Sequence, residues 1–151
     1  MSARVGSSGP GPSYPAPARL VQYLAVGLGS ALGGILRWLL SSPLPVAGQL
    51  MASGFPWATL GINASGSLLI GFYAARWRGT RGQLFFMTGF CGGYTTFSVF
   101  SLETVLLVQA GRAGLAATYV LASVILWLAA AWTGYAIGRR GRRGRRGRRG
   151  A

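Results

Sequence analysis

The chain has 151 residues, of which 51% are hydrophobic and only 11% charged, while a soluble domain usually carries about a quarter of its residues as charges. It has no His, no Asp, a single Glu and a single Cys, so it lacks the side chains from which acid–base pairs, metal clusters and catalytic triads are built, and an enzyme is not expected. The net charge of +14 is all arginine, and eight of the fifteen basic residues lie in the closing stretch RRGRRGRRGRRGA, so the charge marks one end of the chain rather than a nucleic-acid-binding face.

Residues 1–18, MSARVGSSGPGPSYPAPA, are rich in Pro, Gly and Ser and read as a disordered tail without the order of a signal peptide. Four apolar segments follow, at about Leu20–Leu40, Trp57–Ala75, Leu84–Ala110 and Leu115–Ile137. Each is long enough to cross a hydrocarbon core of about 30 Å, which takes about 20 helical residues. The expected class is an all-α integral membrane protein with a channel-sized domain at 19–138 and a basic disordered tail at 139–151.

Loop arginines set the expected orientation. Arg4, Arg19, Arg76, Arg78, Arg81 and the eight of the tail fall on one side, and only Arg112 on the other. The positive-inside rule puts both termini in the cytoplasm of a multi-pass plasma-membrane protein. The RRG repeat fits RNA, anionic lipid or a simple cytoplasmic anchor; the anchor is the reading taken, with no nucleic acid as partner. Trp38, Trp57, Trp77 and Tyr23 sit near segment ends, as interfacial aromatics do.

In lipid, polar and small side chains collect where protein or water meets them. The first segment spaces Ala25, Gly29 and Gly33 four apart, a line along which another helix can approach closely, and Arg37 continues it. Arg37 reads equally as an arginine reaching the interface and as a buried structural contact. The second segment aligns Thr59, Asn63, Ser67 and Gly71 on one face; Asn63 either ties helices together or donates to a passing ion. The fourth aligns Tyr119, Ser123 and Trp127, with hydroxyls suited to a pathway or to interhelical bonds.

The third segment, GFCGGYTTFSVFSLE, is the unusual one. Gly89, Gly92 and Gly93 each weaken a helix by about 1 kcal/mol relative to Ala, so a break is expected there. A break frees carbonyls, which suit a hard cation. Beyond it Phe97 and Phe100 share a face, as do Ser98 and Ser101, with Thr104 extending that row. Phenyl edges carry partial positive charge, and beside hydroxyl donors they can hold a small anion weakly enough to let it leave. Glu103 reads as a structural acceptor or as a gate, and Cys91 as a small buried apolar residue.

GGILRW, TLGINASGSLLIG and GFCGGYTTFSVFSLE resemble the signature segments of the Fluc-type fluoride channels, the CrcB family, across all four segments from Leu20 to Gly138. That resemblance implies passive fluoride export that lowers cytoplasmic toxicity, by an antiparallel dimer with two pores. It implies that Phe97 and Phe100 line the pores, with Asn63 and Thr59 on the second helix, Ser101 and Thr104 as a polar track, and Tyr119 and Ser123 on the fourth helix. It further implies a central Na+ held by backbone carbonyls of Gly92 and Thr95, and a family arginine at Arg37. There are two departures: Val99 stands where the family often has Thr or Ser, and Trp127 where a small or hydroxylic residue is expected. The one-sided arginine count conflicts with insertion in both orientations, so a paralogous subunit of opposite orientation is one option for the partner. A small multidrug-type transporter is the alternative, but it needs a carboxylate in the first helix, and Glu103 is in the third. A scaffold working through its arginine tail gives no account of the break.

Overall fold

A computed structural model describes the backbone of residues 16–41, 46, 54–76 and 81–147, and side chains within 19–41, 46, 54–76 and 82–140. Helix α1 spans Ala16–Leu40 and α2 spans Trp57–Arg76. The third span opens with α3, a continuous run of three pieces, Arg81–Gln83, Leu84–Cys91 and Gly92–Tyr94. After two extended residues it resumes as α4, Phe97–Gln109. Helix α5, Ala113–Gly147, closes the described chain. Four spans within these helices are long and apolar enough to cross a membrane: Arg19–Leu40, Trp57–Arg76, Leu84–Gln109 and Ala113–Arg140. The chain is a multi-pass membrane protein.

The expected tails overlap two of these helices. Helix α1 begins at Ala16, with Pro17 in its first turn, where a missing N–H has no helical partner to lose. Helix α5 continues through RRGRRGRRG because extending an existing helix needs no new nucleus. Residues 1–15 and 148–151, and Trp77 of the expected aromatic belt, lie outside the described residues. Trp38, Trp57 and Tyr23 are all exposed.

Two helix pairs meet backbone to backbone. A β-carbon at Gly29 would overlap the Phe85 carbonyl oxygen, and one at Gly33 the Phe90 carbonyl oxygen, so the small-residue line of α1 is the surface on which α3 lies. Between α2 and α5, a β-carbon at Gly71 would overlap the Ala131 carbonyl, and one at Gly134 the Leu68 carbonyl. Lipid provides no hydrophobic drive between helices, so such close packing carries the association. The GRAG connection ends α4 in a Schellman motif. Gly111 adopts φ 75°, its N–H bonds the Val108 carbonyl at 3.0 Å, and the Arg112 N–H bonds the Leu107 carbonyl at 2.9 Å. The tight turn sets α4 against α5, and Leu60, Phe100, Leu107, Ala116 and Tyr119 form the buried core between α2, α4 and α5.

Residues Leu84–Cys91 are wound as a π-helix, which composition did not foreshadow. The break also sits later than glycine propensity predicts. Gly92 is helical, with φ −63° and ψ −38°, while Thr95 and Thr96 are extended, with ψ 159° and 119°. Gly89 and Gly93 serve contact instead, since a β-carbon at either would overlap a carbonyl of α1, that of Val26 or of Ser30, whereas one at Gly92 would meet nothing within 4 Å. We expect Gly71→Val to cost about 1–3 kcal/mol of stability through overpacking. Gly61→Ala, whose added β-carbon meets nothing within 4 Å, is expected to leave the melting temperature of the detergent-solubilised protein unchanged.

Candidate functional site

The site is built around the break. At Thr95 the helix ends: its N–H and its hydroxyl both donate to the Cys91 carbonyl, at 3.0 and 2.9 Å. Thr96 opens α4 as N-cap, its hydroxyl accepting from the Val99 N–H at 3.2 Å. The Thr96 peptide groups are met by one side chain on α2. Asn63 Nδ2 donates to the Thr96 carbonyl at 2.9 Å, and Asn63 Oδ1 accepts from the Thr96 N–H at 2.8 Å. Asn63 is buried, and this pairing replaces the ladder that the break removes. An amide nitrogen has a second N–H, so the clamp does not exhaust its donors.

Helix α1 closes the other side. Arg37 Nε donates to the Gly93 carbonyl at 3.2 Å, and the Ser30 hydroxyl to the Gly89 carbonyl at 3.3 Å. The last carbonyls of a helix lack helical donors, and Arg37 meets one of them. Arg37 is half-buried as it makes this contact. The Tyr94 and Ser65 hydroxyls, 2.9 Å apart, join α3 to α2.

Glu103 on α4 is 2% exposed. Thr59 donates to its Oε1 and Tyr119 to its Oε2, each at 2.7 Å, so one carboxylate ties α2, α4 and α5 together. Each hydroxyl has one proton, so Thr59 and Tyr119 spend theirs on Glu103 in this geometry. Ser101 and Thr104 donate to the Phe97 and Phe100 carbonyls, at 2.9 and 2.8 Å, one turn back. Their protons reach an anion only after rotating, which a hydroxyl does readily.

The two phenylalanines part company. Phe100 is buried, its ring 5.1 Å from that of Tyr119 and 5.0 Å from that of Trp127, the latter edge to face at 69°. Phe97, at 72% exposure, stands on the surface with its ring centroid 5.5 Å from that of Phe100. Beside Phe97 a groove of about 170 Å³ is lined by Asn63, Ser67, Ile70, Thr95, Thr96 and Trp127. The break, the clamp amide and one phenylalanine therefore share a cavity, while Thr59, Glu103 and Tyr119 form a separate buried knot. Sequence reasoning did not assign Ser67, Thr96 or Trp127 to the site. Ser67 was findable, as it continues the Asn63 stripe by one turn. Thr96 was not, because its role depends on which residue of α2 faces it. Cys91 is fully buried, as a small apolar residue would be.

Four apolar spans, a third span broken at two extended residues and a groove without carboxylate or basic lining define a small polytopic membrane protein of the transport kind. Residues 24–135 match the model of the CrcB-like protein, Camphor Resistance (CrcB) family, and the chain belongs to that family. It is 46% identical over 126 residues to the fluoride-specific ion channel FluC 1 of Bradyrhizobium diazoefficiens, covering 78% of this chain and 84% of that protein. It is 44% identical to the fluoride-specific ion channel FluC of Paramagnetospirillum magneticum (77% and 94% covered) and 46% identical to that of Rhodospirillum rubrum (75% and 91% covered).

The clamp generates a stability prediction. Asn63→Leu leaves the Thr96 N–H and carbonyl buried without partners, at about 1–3 kcal/mol each. A lowered melting temperature in detergent is expected. Ser65→Ala, which removes only the hydroxyl shared with Tyr94, is expected to shift it less.

Proposed function

We propose that the chain is a subunit of a fluoride-selective channel that lets fluoride leave the cell passively and so lowers its toxicity. The observation that carries this reading is the groove at the break. There an amide held by the broken backbone, threonine hydroxyls and the exposed Phe97 ring converge without any charged side chain. Donors and ring edges of that kind hold a small, hard anion without the grip of a full positive charge, which suits conduction. Relatives named as fluoride-specific channels, at 42–46% identity, support the same anion. The multidrug-type reading is not favoured, since the sole carboxylate is held by two hydroxyls on the third span, not free on the first.

In this reading Asn63, Phe97 and Phe100 line the path. Ser101, Thr104 and Ser123 contribute hydroxyls as they rotate; Thr59 and Tyr119, expected on the path from the resemblance, act instead by holding Glu103, and Arg37 and Glu103 hold the frame. The exposed Phe97 and the apolar outer faces of α1 and α5, including Leu28, Ile125 and Trp132, are the surfaces offered to lipid and to a second subunit packed antiparallel. The carbonyls of Gly92 and Thr95 fit a sodium ion at the dimer centre. Thr95 turns its carbonyl out of the ladder, Gly92 is exposed, and no cluster of His, Cys, Asp or Glu among the described residues favours another metal. When bound, the ion supplies a fixed positive charge that offsets carbonyl oxygens at the break.

The arginine bias places both termini in the cytoplasm of the cell membrane. A chain that inserts one way needs an antiparallel partner that inserts the other, and a paralogue with opposite loop charge is the option this bias favours. A C-terminal topology reporter is expected to face the cytoplasm alone; comparable populations facing both ways contradict the paired-subunit reading. For the site, Phe97→Ile and Phe100→Ile are each expected to abolish fluoride flux through the reconstituted channel while leaving its assembly intact. Undiminished flux in both variants contradicts the site.

A further inference from the structure

Among the described residues, two buried side-chain polar atoms have no hydrogen-bond partner: the Ser123 hydroxyl and the Trp127 indole nitrogen. They lie four residues apart on α5, so they are neighbours on one helix face. Ser123 is fully buried, and an indole nitrogen is a donor only. An orphan donor inside a protein is costly, and two stacked together ask for a shared acceptor. No side-chain acceptor meets either. The Phe100 ring lies edge to face against Trp127 and beside Tyr119, and Trp127 also forms part of the wall of the groove that holds Asn63 and Phe97. The pair thus continues the path from the groove along α5.

We propose that the Trp127 indole N–H and the Ser123 hydroxyl form a two-donor subsite for the permeating anion, one turn deep along α5. This rests on the fluoride-channel reading and extends it to a residue at which this chain departs from the small or hydroxylic side chain expected there. Trp127 does not block the path; where a small or hydroxylic residue is expected, it supplies an N–H donor. Two neutral donors favour the halide that accepts the shorter and stronger hydrogen bonds, which is fluoride over chloride.

The test uses the full chain, with its tryptophan indoles labelled with nitrogen-15, assembled in detergent micelles. Sodium fluoride is titrated against sodium chloride at equal ionic strength. The Trp127 indole resonance is assigned by its loss in Trp127→Phe, or in Trp127→Leu if the first variant does not assemble. The resonance is expected to move downfield with fluoride and not with chloride, and the movement to shrink in Ser123→Ala. Trp127→Phe is expected to conduct fluoride about tenfold more slowly, the loss expected of one hydrogen bond to a charged partner. A Trp127 resonance unmoved by fluoride in a chain that conducts fluoride overturns the subsite and leaves the channel reading standing. A chain that conducts no fluoride, either alone or with a paralogue of opposite loop charge, overturns the channel reading itself, and the resonance then reports separately whether the pair binds the anion.

Discussion

A broken helix inside a membrane is tolerated only where protein meets the peptide groups that the break releases. Here that condition rests on one side chain. Asn63 holds both peptide groups of Thr96, donating to its carbonyl and accepting from its N–H. Everything else about the third span depends on α2 presenting that amide at the right height. The close crossing of α2 on α5 through Gly71 and Gly134, and of α1 on α3 through Gly29 and Gly33, fixes that height by backbone contact rather than by flexible side chains. Arg37 then covers the Gly93 carbonyl from α1, so the two ends of the break are held from opposite sides.

The same frame explains how a chain with one carboxylate keeps it out of an anion's way. Glu103 lies one and a half turns beyond Phe97 on α4, and a bare carboxylate at that point would repel fluoride. Thr59 and Tyr119 hold both of its oxygens, in a knot apart from the groove. The knot costs two hydroxyls but joins three helices with short bonds. The groove keeps what an anion needs without net charge: an amide with a spare N–H, ring edges and the Thr96 hydroxyl, while the Thr95 hydroxyl reaches an anion only by turning from the Cys91 carbonyl. Weak donors in a low-dielectric setting hold an ion more firmly than the same donors in water, yet less firmly than an arginine would.

Much of this was legible in the sequence, for reasons particular to membranes. Four spans follow from length and apolarity, and the structure has them. The inward face of α2 follows from the four-residue spacing of Thr59, Asn63, Ser67 and Gly71, since lipid disfavours polar side chains on the other faces; Thr59, Asn63 and Gly71 are buried and Ser67 is half-buried. The Gly29–Gly33 line was readable as a contact surface for the same reason. The position of the break was less so. Glycine propensity points to Gly92 and Gly93, but both stay helical; the missing side chain of Gly93 is used for contact with α1, while a β-carbon at Gly92 would meet nothing, and the backbone opens at two threonines that α2 and their own hydroxyls can satisfy. That is a tertiary effect, and no local pattern encodes it. The π-winding of Leu84–Cys91 is equally invisible in composition. Trp127 was legible as an anomaly, but that its N–H is left without an acceptor beside Ser123 depends on how α4 and α5 pack.

The most direct test of the account is fluoride efflux from liposomes that hold the purified chain, alone and with a paralogue of opposite loop charge. Loaded with potassium fluoride and given a potassium ionophore, but no proton gradient, the vesicles should empty their fluoride promptly and retain chloride under the same conditions. Retained fluoride in both preparations, or efflux that appears only when a proton gradient is imposed, contradicts a passive fluoride channel.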